Sequence, residues 1–196
     1  MLYLLITYTV LLTGAIWMTR IARRFFFRDK DGLRRVFNIL DLQFPVSDDE
    51  LTTMIANMLP GVRKAVRLHL WVDFLFMAGF YPTIALLCFM LGDKTGNGVY
   101  FFWLMGALQG VAWLCDIFEN LWLLRKIRKP GPDRQFRTYS FFVYTKFILA
   151  YAGAGVTLPV AFYFWMTGDF EQATVPYAMA LLAETALAVW LLGKVK

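Results

Sequence analysis

Five stretches of this sequence are each long and apolar enough to cross a lipid bilayer, and little else constrains the fold as tightly. A membrane-spanning helix needs ~20 mostly apolar residues at ~1.5 Å rise to cross a hydrocarbon core of ~30 Å. The stretches run about Met1 to Thr19, Leu70 to Leu91, Val99 to Leu124, Ser140 to Met166 and Pro176 to Gly193. The composition agrees: 59% of the 196 residues are hydrophobic and 17% charged, whereas soluble chains run near ~45–50% and ~25%. A water-soluble globule is excluded, and so are a disordered chain, a collagen-like fibre and a disulfide-stapled secreted module, since only two cysteines are present. The expected fold is an all-α integral membrane protein, a five-helix bundle forming one membrane domain over 1–196.

Basic residues stay on the cytoplasmic side of a membrane. Ten Lys and Arg fall between Arg20 and His69, six between Arg125 and Arg137, and the chain ends Lys194-Val195-Lys196. With five spans these regions share one side. The other side holds Gly92 to Gly98, with Lys94 beside Asp93, and Thr167 to Val175, with Asp169 and Glu171 and no base. The N-terminus is therefore expected outside and the C-terminus inside, in a plasma (inner) membrane. The first span lacks a basic leader and is followed by Arg20, Arg23 and Arg24, the pattern of a reverse anchor rather than a cleaved peptide. The net charge of +6 is thus accounted for by topology, and no nucleic acid is needed as a partner.

Residues 20–69 form a polar insert between the first two spans. Ser47-Asp48-Asp49-Glu50 has the pattern of a capping box. Leu51, Met54, Ile55, Met58 and Leu59 follow at helical spacing, an amphipathic stripe expected to end at Pro60-Gly61. Such a helix packs on the cytoplasmic ends of the bundle or lies in the lipid interface, or else receives a partner. The alternating segment Ile39 to Pro45 reads as extended, with no evident strand to pair with.

Ionisable residues inside spans cost about 2.5–3.5 kcal/mol each on insertion scales. This chain places Asp73 in the second span, Asp116 and Glu119 in the third, Lys146 in the fourth and Glu184 in the fifth. Counted along the helices, the first four share a layer roughly 5–12 Å from the cytoplasmic end. Gln109, Trp113, Asp116 and Asn120 give the third span a polar face. Arg67 and His69, just outside the second span, could extend the cluster, although His69 reads first as an interfacial residue rather than a ligand. Glu184 sits near mid-membrane, where it is expected to be protonated or hydrogen-bonded to another helix, with Tyr151 at similar depth. One ammonium among three carboxylates leaves acid uncompensated, which a network built only for rigidity does not need.

Chemistry is narrowed by what the sequence lacks. A single histidine, His69, excludes bis-histidine haem and histidine-box di-iron centres. Cys88 and Cys115 lie ~15 Å apart in depth and are not expected to pair. Small residues mark packing faces at Gly106 and Gly110 and at Ala150, Gly153, Ala154 and Thr157, with Pro82 and Pro159 able to open a groove for a lipid tail or quinone. Trp17, Trp71, Trp103, Trp122, Trp165 and Trp190 read as interfacial belts.

The expected function is a membrane protein whose polar cluster, made of Asp73, Asp116, Glu119, Asn120 and Lys146 near the cytoplasmic leaflet, binds a lipid-like or polar ligand or supports assembly with itself or other membrane subunits. A second possibility is an enzyme acting on lipid head groups, with Asp73, Asp116 and Glu119 holding a cation around an open cytoplasmic cavity. A third is a proton or ion conductor running through Gln109 and Glu184. The apolar outer halves of the second and fourth spans count against it.

Overall fold

A computed structural model of the chain describes residues 1–28, 33–168 and 175–193. Five helices in it are long and apolar enough to cross a membrane: α1 (Leu2–Ala22), α4 (Pro60–Lys94), α5 (Val99–Arg128), α6 (Phe136–Met166) and α7 (Val175–Gly193). The protein is an all-α bundle of these five with a largely helical insert. Asp169, Glu171, Lys194 and Lys196, which entered the orientation argument, lie outside the described residues.

Helix α4 is central, with α1, α5 and α6 packed on it, while α7 packs on α1. Where α1 and α4 cross, the backbones meet at two glycines. A Cβ on Gly14 would lie 2.8 Å from the Cα of Phe76, and one on Gly79 would lie 2.6 Å from the Cα of Leu11. Without a hydrophobic drive between helices in lipid, such close approach supplies the dispersion contact that holds them. The sequence pattern pointed instead to Gly106 and Gly110. Gly106 does receive the Phe89 ring, but Gly110 faces open space.

The insert begins with a hairpin, β1 (Phe26–Arg28) and β2 (Arg34–Val36), paired antiparallel with Phe26 opposite Val36. It continues through α2 (Ile39–Gln43) and α3 (Asp48–Ala56). The extended reading of Ile39 to Pro45 was wrong. Asp41 Oδ2 accepts the Asn38 backbone N–H at 2.7 Å, closing a first helical turn that Pro45 then limits. Ser47 caps α3 as its sequence suggests, its hydroxyl accepting the Glu50 N–H at 3.1 Å. Pro60 opens α4 at its first turn rather than merely ending the stripe before it, so α4 starts well before Leu70.

Leu42, Leu51 and Ile55 are buried with Phe25, Val66, Leu70, Leu123, Ile127 and Val143 in one core. The insert therefore roofs the basic end of α4, α5 and α6. Asp48 fixes it there by accepting from Lys126 Nζ and, at 2.7 Å, from the Asp133 N–H. Trp122 belongs to this core and not to an interfacial belt: it is buried and stacks on Tyr139 with ring centroids 4.1 Å apart.

Candidate functional site

Directly beneath that roof, α4, α5 and α6 turn polar side chains toward one another. Lys146 Nζ on α6 donates to Asp116 Oδ1 at 2.5 Å and lies 2.6 Å from Glu119 Oε2. The second contact is an ion pair by distance whose angles do not make a hydrogen bond. Asp116 and Glu119, three residues apart, lie ~60° from each other around α5, so both reach one ammonium. Asn120 Nδ2 donates to Asp73 Oδ2 at 2.7 Å, joining α5 to α4. All five side chains are buried.

Two further residues complete the layer. Tyr81, two turns beyond Asp73 on α4, donates its hydroxyl to Asp116 Oδ2 at 2.8 Å. Gln43 at the end of α2 donates its amide to Glu119 Oε1 at 2.8 Å. The spacing of Asp73 and Tyr81 on one helix face is a signal from which Tyr81 could have been found. Gln43 had none, because its place depends on how the insert folds back. With these neutral donors the excess of acid is shared out: every carboxylate receives at least one hydrogen bond, and the ammonium is divided between two of them.

Lys146 occupies the position between Asp116 and Glu119 that a bridging cation would take. Among the described residues no three carboxylate, histidine or cysteine side chains group so as to hold a metal ion. The trio Asp73, Asp116 and Glu119 is thus not gathered around a common open point as a cation site requires.

A cavity of about 280 Å³ opens beside the layer. Asp73, Asp116 and Lys146, with Gln43, are its polar surface; Met18 of α1, Phe76 and Phe80 of α4, and Phe147 and Tyr151 of α6 are its apolar walls. Tyr151 is 70% exposed and marks the mouth on the outer face of α6. Asp73 Oδ1 has no hydrogen-bond donor among the described residues. Asn120 Oδ1 is likewise without a donor, and it is sealed from solvent.

The remaining candidates lie elsewhere. Gln109 is buried but donates to the Leu149 carbonyl at 3.0 Å, bracing α5 against α6. Glu184 does not meet Tyr151; its carboxylate accepts from Thr9 Oγ1 of α1 at 3.0 and 3.1 Å. Neither extends the cluster toward the far side. His69 is buried against the Phe25 ring rather than interfacial, and Arg67 is exposed on the outer face of α4, so neither joins the layer. Both cysteines are free and buried, with Cys88 Sγ 3.0 Å from Thr157 Oγ1. No family model, curated protein or solved structure matches the chain.

Proposed function

We propose that this is a membrane protein that binds an amphipathic, lipid-like ligand between α1 and α6, with the ligand's polar end on Asp73. The basic end, with the insert, lies on the cytoplasmic side of a plasma (inner) membrane in this reading, the N-terminus outside. The observation that carries it is the 280 Å³ cavity whose apolar walls lead to Asp73. Asp73 borders the cavity, and its Oδ1 has no donor among the described residues, so a ligand hydroxyl or ammonium entering from the lipid supplies one. A carboxylate head group meets the opposite situation, because Lys146 is already shared by Asp116 and Glu119. The chemical class is therefore a long-chain molecule with a donor head, an amine or an alcohol, in preference to an acid. No reaction is required.

The test uses the full chain in nanodiscs with three photoreactive probes of equal chain length ending in an amine, an alcohol or a carboxylate. The expected result is labelling of peptides around Phe76–Tyr81 and Phe147–Tyr151, strongest for the amine, weakest for the acid, and reduced by Asp73→Asn. Labelling spread evenly over the lipid-facing helices, or indifferent to Asp73, contradicts the reading. The rigid ion-pair network is itself a second reading. It rests on the mutual satisfaction of Lys146, Asp116, Glu119, Tyr81 and Gln43, and it predicts no selectivity among the probes.

A further inference from the structure

A second polar feature lies on the opposite side of α4. Lys64, Arg67, Leu68 and Trp71 follow one another at i, i+3, i+4 and i+7, one stripe of the helix. Trp71 lies ~160° around α4 from Asp73, so the stripe faces away from the buried layer. It borders a groove of about 600 Å³ shared with Arg128 of α5. A neighbouring hollow lined by Leu121, Leu124, Arg128 and Lys129 continues it past Trp71.

Two of the cations that border the groove and the hollow, Arg63 and Arg125, are already engaged, and four are not. Arg125 pairs with Asp133 at 2.8 Å, Lys126 with Asp48, and Arg63 donates to the carbonyls of Ile55 and Ala56. Lys64, Arg67, Arg128 and Lys129 have no carboxylate partner among the described residues. A preference for basic residues on one side of a membrane explains their number, but not the convergence in one groove of four that lack a carboxylate partner among the described residues.

The two helices run antiparallel here, and both change character in the same direction. On α4 the order from the end inward is Lys64, Arg67, then Leu68 and Trp71; on α5 it is Lys129 and Arg128, then Leu124 and Leu121. Cations stand at the rim and apolar side chains further in, with Trp71 58% exposed between them. We infer that the groove between the basic ends of α4 and α5 holds an anionic phospholipid, its phosphate among Lys64, Arg67 and Arg128 and its chains along Trp71 and Leu121. A free phosphate would use the cations and leave the apolar half of the groove without purpose.

Native mass spectrometry of the full chain in detergent, titrated with phosphatidylglycerol and with phosphatidylcholine, tests this. Phosphatidylglycerol is expected to bind roughly tenfold or more tightly, since each cation near the surface adds appreciably to the attraction for an anionic lipid. The variant Lys64→Gln/Arg67→Gln/Arg128→Gln should bring the two lipids close to parity. The variant Arg24→Gln/Arg134→Gln/Arg137→Gln removes the same charge from exposed positions at the same end and should leave the preference intact. Equal loss in both variants means diffuse attraction and overturns the site. Displacement of phosphatidylglycerol by millimolar inorganic phosphate overturns the lipid as occupant. All substituted residues lie outside the Asp73 cavity, so failure here leaves the amphipathic-ligand reading standing, and the reverse.

Discussion

Lys146 is the side chain on which the buried layer depends most. It is the only cation contacting Asp116 and Glu119 among the described residues, and its removal strands two buried acids. Breaking a buried ion pair by deleting one partner costs about 3–5 kcal/mol. Lys146→Met should therefore lower the unfolding midpoint in detergent sharply, whereas Lys94→Met, at an exposed position, should leave it near the wild type. Equal midpoints would contradict the buried network. Asp73→Asn is expected to separate stability from binding. Its amide oxygen can still accept from Asn120, so the melting temperature should hold, while the carboxyl group facing the cavity is replaced by a neutral amide. That Asp73, Asp116, Glu119 and Lys146 lie at one depth was legible from their distance to the span ends. Of their neutral donors, Tyr81 carried a signal in its spacing from Asp73 on α4, and Gln43 carried none, because its place depends on how the insert folds back.

Among the elements, the crossing of α1 and α4 makes the sharpest test. Gly79→Ala places a methyl group against the backbone of Leu11 and Thr7, and neither can rotate away. Overpacking of this kind costs about 1–3 kcal/mol. Gly110→Ala, with nothing within 4 Å, should be neutral or slightly stabilising in the same thermal-shift measurement. The insert is held by smaller contacts: Ser47→Ala should cost about 1 kcal/mol through loss of the cap, read as faster amide exchange confined to Asp48–Ala56. The long helices and the α3 cap followed from local pattern. The hairpin and α2 did not, although Asp31-Gly32 between Phe25-Phe26-Phe27 and Val36-Phe37 is a turn signal between apolar runs. In Ile39 to Pro45 the five residues of α2, Ile39–Gln43, are too few for periodicity to distinguish a helical turn from a strand, and the Asn38–Asp41 bond decides it.

At the scale of the molecule, the insert and the bundle together make a site that is closed at one end and open at its side. The roof formed by α2 and α3 separates the charged layer from water at the basic end, leaving the mouth between α1 and α6 as its approach. The proposed amphipathic ligand accordingly enters from the lipid at that side mouth. Orientation is checked with a membrane-impermeant maleimide on intact cells: Lys94→Cys should react, and Arg134→Cys only after permeabilisation. The most direct measurement is a high-resolution density map of the protein purified in nanodiscs from its own membrane lipids. Elongated density is expected between Met18 and Tyr151, with a polar end within hydrogen-bond distance of Asp73 Oδ1. A closed, empty cavity with Asp73 Oδ1 turned to a donor of the protein would contradict it.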